Sequence, residues 1–253
     1  MDKIKHIIAT RFLCFEGNLG EQVTSKEFIE MGLRLMSQYL IPTLENQTNQ
    51  NFELVVLVHP KLNLGQYKRK FLAMSDKLNI NVIRYAKFDE YVAEAAKTAE
   101  NLIVSRIDYD DLVWKGAVED AQNHVGKAPM LIYGYNRGYA WHEGTDDIRH
   151  FYWEYRKHGH MSVFQSSIVK TENAELVAIH PYKWNHTRPT ESASFAGVDM
   201  KKVRFEADYA LNAFIWVRND NSSSGYIFPS YVKERAALEK AYVQQVFGVA
   251  VVG

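Results

Sequence analysis

The sequence predicts an α/β fold: a single domain over residues 1–253, built on a mostly parallel sheet flanked by helices. Three observations lead there. Short apolar runs rich in β-branched residues recur at Lys5–Thr10, Phe52–Val58, Asn81–Tyr85 and Ile103–Ile107, each of a length that suits a buried strand. Stretches with helical periodicity separate them, so the first 112 residues read β-α-β-α-β-α-β, the pattern of parallel strands joined by crossover helices. The fourth run then ends in three carboxylates within four residues, Asp108, Asp110 and Asp111. Ligands of open α/β sheets bind in the crevice beyond the carboxyl ends of the strands, where that acidic string falls.

Each element has its own signal. After the first strand, residues 13–24 read as a loop, and Ser25 caps a helix carrying Phe28, Met31, Leu35, Met36, Tyr39 and Leu40. Pro42, which lacks a backbone N–H, kinks or ends it. The polar run Asn46–Asn51 is a turn into the second strand, and His59-Pro60 terminates that strand. Helices are expected over 66–78 and 89–99. Asp111 is placed to cap a further helix opening at Leu112-Val113-Trp114 and running over 113–125. Met130–Tyr135 is a strand, followed by an aromatic and polar loop region holding Trp141, His142, Glu143, Asp146 and Asp147. A later strand ends at Trp216-Val217-Arg218, a serine-rich loop follows, and a helical tail is expected over 231–247.

Composition narrows the class. Apolar residues at 47% supply an ample core, and thirty basic against thirty acidic side chains cancel, so no global field favours a polyanion. With one cysteine, Cys14, no intramolecular disulfide forms and a reducing compartment fits. The first apolar run is too short for a signal peptide, and no stretch approaches the roughly 20 apolar residues of a membrane span. A cytoplasmic protein without an integral membrane segment is expected, in a bacterium or in an infected host.

Asp108 and Asp110 carry the chemistry. Two carboxylates this close repel unless a cation neutralises them, and hard oxygen ligands suit Mg²⁺ or Mn²⁺, which take much of their shell from water and substrate phosphates. A solvated acidic turn with a helix cap is the plainer alternative for an isolated Asp-x-Asp. Arg106, two residues upstream, is positioned to hold Asp108 or to reach a phosphate. Trp141 and His142 sit in a mixed aromatic and carboxylate region of the kind that takes a sugar's apolar face and hydroxyls, though such residues equally fill a core. No histidine pair has the spacing of a structural zinc site. The loop Tyr182–Pro189 offers His186 as a third metal ligand and Arg188 as a basic group toward a diphosphate.

The string Arg106-Ile107-Asp108-Tyr109-Asp110-Asp111-Leu112 resembles the metal and sugar-nucleotide motif of glycosyltransferases of the GT-A fold, in the version seen in the putative rhamnosyltransferase family. The phrase Asn46-Gln47-Thr48-Asn49-Gln50-Asn51-Phe52 between the first helix and second strand is also similar to that family. The resemblance implies a GT-A-like, Rossmann-like sheet, with residues 1–112 as the nucleotide-sugar-binding half and 113–253 as the acceptor-binding half. It implies Asp110 as the direct ligand of Mn²⁺ or Mg²⁺, Asp108 on the metal, its waters or the donor ribose, and Thr10 and Arg11 beside the nucleotide base. It also implies a histidine from the C-terminal half in the metal shell, which nominates His186. Where relatives carry a histidine followed by an asparagine, this chain has Arg218 and Asn219 with Asn221 beyond. Direct metal ligation there is in doubt, and Arg218 is the charge clamp for the leaving diphosphate.

The expected activity is transfer of a sugar from a UDP- or dTDP-sugar donor to an acceptor hydroxyl by a hexosyl- or pentosyltransferase. An inverting route needs a carboxylate base; Glu143, Asp146, Asp147, Glu191 and Asp208 qualify by type, with Glu191 our nominee, and spacing does not choose among them. The acceptor is a surface glycan or a hydroxymethylated base in phage-type DNA. The second would use a basic groove, drawn from Lys68, Arg69, Lys70, Lys183, Arg188, Lys201, Lys202 and Arg204, beside the acidic site. Two other classes stay open at this point: a metal-dependent nuclease or phosphohydrolase, and a carbohydrate-binding module without catalysis.

Overall fold

A computed structural model of the protein describes residues 2–14, 24–145, 147–152, 163–183, 197–218, 232–235, 238 and 240–249. Four parallel strands form its first half: β1 (Asp2–Phe12), β2 (Glu53–Val58), β3 (Ile80–Arg84) and β4 (Ala99–Arg106), in the order β3-β2-β1-β4. Between them run α1 (Lys26–Leu35) with α2 (Ile41–Glu45), then α3 (Leu64–Leu72), then α4 (Phe88–Ala96). Alternation of side chains along the strands splits the core into two layers. Ile8, Phe12, Leu54, Val56 and Ile103 face Ile29, Met36, Leu40 and Phe71. Ile7, Ala9, Val55, Leu57 and Val104 face Phe88 and Val92. The expected parallel half is present, element by element and in order.

Pro42 does not end the helix, which runs through it to Glu45. The hydroxyl of Ser25 accepts from Phe28 N–H to start α1, and Met36–Leu40 then widens into a π turn in which Ile41 N–H donates to Met36 C=O. A proline in the following turn offers no N–H and crowds the preceding carbonyls, so the chain widens before α2 resumes around Pro42.

The second half extends the sheet with antiparallel strands. From β4 outward come β8 (Gln165–Lys170), β6 (Met130–His142), β7 (Ile148–Tyr152) and β10 (Val232–Arg235). The 16-residue β9 (Val203–Arg218) runs parallel to β6 along its length. Gly138 permits that pairing: a Cβ there would lie 2.5 Å from the Phe214 ring. Among the described residues this half also carries three short α-helices, α5 (Ala117–Asn123), α6 (Ala174–Val177) and α7 (Lys240–Phe247). No helix among the described residues is long and apolar enough to cross a membrane.

Three expected elements are corrected. Leu112–Val113 is not a helix start but a two-residue strand, β5, paired with Ile215 and Phe214 of β9. The Thr43 hydroxyl both donates to Val113 C=O (2.6 Å) and accepts from Val113 N–H (3.1 Å), so these backbone groups are satisfied without a helix, which begins only at Ala117. Trp141 and His142 lie at the end of β6 rather than in a loop, because the strand runs on through Asn136-Arg137-Gly138, where the pairing register shifts. Among the described residues the tail is helical over Lys240–Phe247, and Val232–Arg235 is a strand paired with β7.

A buried polar ladder crosses the sheet at its middle. His6 Nε2 lies 2.8 Å from Ser105 Oγ, which lies 2.6 Å from Ser166 Oγ, joining β1, β4 and β8. Burial lowers the His6 imidazole from 6.5 to about 3, so the fold holds it neutral while the unfolded chain takes up a proton below about 6.5. Its contribution is therefore whole above pH 6.5 and is lost as pH falls toward 3, at roughly 1.4 kcal/mol per pH unit. Urea unfolding of wild type and His6→Gln between pH 6.5 and 4 should give the variant the shallower pH slope by that amount. Equal slopes would contradict this assignment.

Candidate functional site

The site is built where β1 and β4 end side by side. Ala9 of β1 stands opposite Arg106 of β4, and Ile107 N–H donates to Ala9 C=O (3.1 Å), so the acidic turn leaves the sheet at its carboxyl edge. The three carboxylates then separate by environment. Asp111 is buried, and its Oδ1 accepts from Val217 N–H at 3.0 Å, tying the turn to β9. Burial, followed by the charges of Asp110 and Asp108, raises its carboxyl well above the usual range. It is a structural carboxyl that stitches two strands, not the cap of a helix. Asp108 is held by Arg106, whose Nη2 lies 3.2 and 3.1 Å from its two oxygens, with Arg11 Nη2 at 3.9 Å. The Arg106 side chain is 6% exposed, Arg11 is 27% and Asp108 is 41%. Asp110 is partly exposed on the same turn. Tyr109 between them packs against Phe12, and burial together with the neighbouring carboxylates pushes its phenol upward.

The remaining nominees divide. Thr10 is fully buried on the core face of β1, between Ile8 and Phe12, and its hydroxyl has no hydrogen-bond partner among the described residues. A side chain so enclosed does not meet a base; that expectation is corrected, because strand alternation turns Thr10 inward and Arg11 outward. Trp141 is likewise core: 3% exposed, edge-on to Tyr39, its indole N–H on Thr145 C=O. His142 is half-buried, and its partner in register is Arg218, one residue beyond the Val217 that Asp111 holds. The backbone of Arg218 therefore flanks the acidic turn. His186, Arg188, Glu191 and Asn221 lie outside the described residues, as does Asp146.

Among the described carboxylates offered as a base, Glu143 is committed elsewhere. Arg34 grips it at 2.6 and 3.3 Å and the Tyr39 hydroxyl donates to it at 2.8 Å, which fastens the β6–β7 turn to the first helix. Glu143→Gln should leave sugar transfer within about twofold of wild type, and Arg34→Ala should cost at most about 1 kcal/mol of stability, as for other half-exposed ion pairs. A hundredfold loss of kcat in Glu143→Gln would restore it as a base. Asp147 is engaged by Arg149 at 2.9 Å.

Two of the basic residues offered for a groove lie away from the acidic turn. Val203 pairs with Met130, and Met130 with Val169 opposite Leu102, so Lys201 and Lys202 lie toward the amino end of β4, while Arg204 is level with Ile103. Lys202 is paired with Glu175, Arg204 with Glu206 and Lys183 with Asp89.

A residue not singled out from the sequence joins the site. The Tyr182 hydroxyl donates to Ala9 C=O (2.8 Å), and its ring lies under both arginines, 5.1 Å from Arg11 Cζ and 5.6 Å from Arg106 Cζ. Nothing local in the sequence marks it, since its partners are more than seventy positions away.

No metal ligand cluster of three side chains is formed among the described residues. The donor set nonetheless fits a hard divalent cation: two carboxylates two residues apart, with charge enough to raise a third, and remaining positions of the kind that water and phosphate oxygens take.

The string Arg-Ile-Asp-Tyr-Asp-Asp thus stands at the carboxyl edge of a parallel α/β half, where open α/β sheets bind their ligands. The chain belongs to the family described as “Putative rhamnosyl transferase”, whose model matches residues 22–203. No curated protein sequence matches it. Among solved structures it is similar to the Staphylococcus aureus TarS 1–349 fragment in complex with UDP-GlcNAc, at TM-score 0.46 and 14% identity over 89% of this chain and 62% of that one. The same fragment in complex with UDP aligns at TM-score 0.44 and 16% identity, over 86% and 61%. The chain thus spans less than two thirds of the TarS fragment.

Proposed function

We propose that the protein transfers a sugar from a nucleoside-diphosphate donor, UDP- or dTDP-linked, to an acceptor hydroxyl, with Mn²⁺ or Mg²⁺ held by Asp110 and Asp108. The observation that carries this reading is the acidic turn at the carboxyl edge of β4, with Arg106 and Arg11 beside it, in a member of a glycosyltransferase family. A bound divalent ion would act there as a Lewis acid toward the leaving diphosphate.

The chain's own residues supply the rest. Arg106 fixes Asp108 by two charge-assisted hydrogen bonds, so this carboxylate is oriented before a donor arrives. Arg11, more exposed and further from Asp108, offers a planar fork that suits a phosphate. Arg218, at the end of β9, is the second clamp. Asp111 keeps the turn in place through Val217. Glu191 remains the nominated base and His186 the nominated third ligand.

The acceptor we favour is a glycan. The place of Lys201 and Lys202 toward the amino end of β4, and the ion pairs of Lys202 with Glu175 and of Arg204 with Glu206, support it over phage-type DNA. Incubation with UDP- and dTDP-sugars, with Mn²⁺ or with a chelator, tests the reading: nucleotide release only with metal is expected. Release from no donor under either condition would count against it.

A further inference from the structure

Asp108 has an arginine on each side, and two guanidinium groups so placed repel one another unless something more than one carboxylate holds them. The described residues supply it in the Tyr182 ring. Arg11 Cζ lies 5.1 Å and Arg106 Cζ 5.6 Å from its centroid, both within the ~6 Å over which an aromatic face attracts a cation. The ring is itself fixed, by its hydroxyl on Ala9 C=O at 2.8 Å and by edge contacts with Phe88 and Tyr85 at 5.8 and 6.3 Å. Ala9 is the residue that pairs with Arg106 and accepts from Ile107 N–H, so Tyr182 is anchored to the same strand end that launches the acidic turn.

We propose that Tyr182 is a positioning residue of the donor site, holding Arg11 and Arg106 on its ring so that both face Asp108 and, when a donor binds, its diphosphate. The two arginines are not equivalent. Arg106 is nearly buried and meets both oxygens of Asp108, whereas Arg11 is 27% exposed and stands 3.9 Å away. Arg11 is the one that turns from the carboxylate to a phosphate while keeping the ring beneath it. The inference rests on the proposed glycosyl transfer for the identity of the ligand, a nucleoside diphosphate; the ordering of the arginines stands apart from it.

The test joins both parts. Arginine Nε–Hε relaxation is measured in wild type, Tyr182→Phe and Tyr182→Leu, together with KM and kcat for the sugar nucleotide. Tyr182→Phe keeps the ring, and Tyr182→Leu removes it while preserving an apolar contact for Phe88. Arg11 should be ordered in wild type and in Tyr182→Phe, with an order parameter above about 0.6, and should fall below it in Tyr182→Leu. Donor KM should rise about tenfold in Tyr182→Leu with kcat changed less, and Tyr182→Phe should recover most of the loss. An Arg11 already mobile in wild type overturns the proposal, whether or not Tyr182→Leu folds. Equal order and equal KM in all three proteins overturns it as well. A wild-type protein with ordered arginines that neither binds nor turns over any sugar nucleotide removes the donor-site role and sinks the glycosyltransferase reading itself.

Discussion

Asp110→Asn should abolish metal-dependent sugar transfer while leaving the fold intact, with a loss of about a thousandfold in kcat/KM. The substitution keeps shape and volume but removes the negative charge, and with it the affinity of a hard cation for the turn. Lewis-acid stabilisation of a leaving diphosphate is worth several kcal/mol, and each 1.36 kcal/mol is tenfold in rate, so about 4 kcal/mol corresponds to that factor. Asp110 is partly exposed on a turn whose backbone is held by its neighbours, Asp111 N–H on Asp108 C=O and Ile107 N–H on Ala9 C=O. The variant should therefore unfold within a few degrees of wild type. A kcat/KM within tenfold of wild type would remove Asp110 from the site.

Asp111 should behave oppositely, with its effect in stability. Asp111→Ala leaves Val217 N–H without its partner in a buried position, a cost of about 1–3 kcal/mol, and loosens the junction between β5 and β9. Asp111→Asn keeps an oxygen in the place of Oδ1 and removes a charge that burial and two neighbouring carboxylates already oppose. It should be far less destabilising than the alanine change. Chemical denaturation of the two variants separates the roles: equal losses would mean that the bond to Val217 is not what Asp111 contributes.

These contrasting roles within one four-residue string mark what was legible in the sequence. The parallel half could be read because its signals are local: β-branched runs for buried strands, helical periodicity between them, and Ser25 for the start of the first helix. Asp108 and Asp110 could be nominated because a strand precedes them and their types suit a cation, and both stand on the turn that follows β4. Asp111 was misread because its true partner, Val217, is 106 residues distant, while the local pattern looked like a cap. Val113 was misread for the same reason, since Thr43 satisfies its backbone from seventy residues away. Thr10 was nominated by the family resemblance and Trp141 by type and neighbourhood, and both side chains are buried. Tyr182 was read only as the first residue of a loop suited to a diphosphate, because a ring shared by two arginines leaves no spacing to recognise.

The half beyond residue 112 was harder for a physical reason. Its β8 pairs antiparallel to β4, and β6 and β9 pair parallel to one another across long separations, so polar and glycine residues such as Asn136 and Gly138 occur inside a strand. Packing of Gly138 against Phe214, not local propensity, keeps that strand continuous.

The most direct measurement is calorimetric titration of UDP and dTDP into wild type and Asp110→Asn, each with and without Mn²⁺. Binding of at least one nucleotide that requires the metal in wild type and is lost in Asp110→Asn is the expected result, and the preferred base identifies the donor class. Binding that is equal in the two proteins, or absent from wild type under every condition, would contradict a metal-assisted nucleotide-sugar site at the acidic turn.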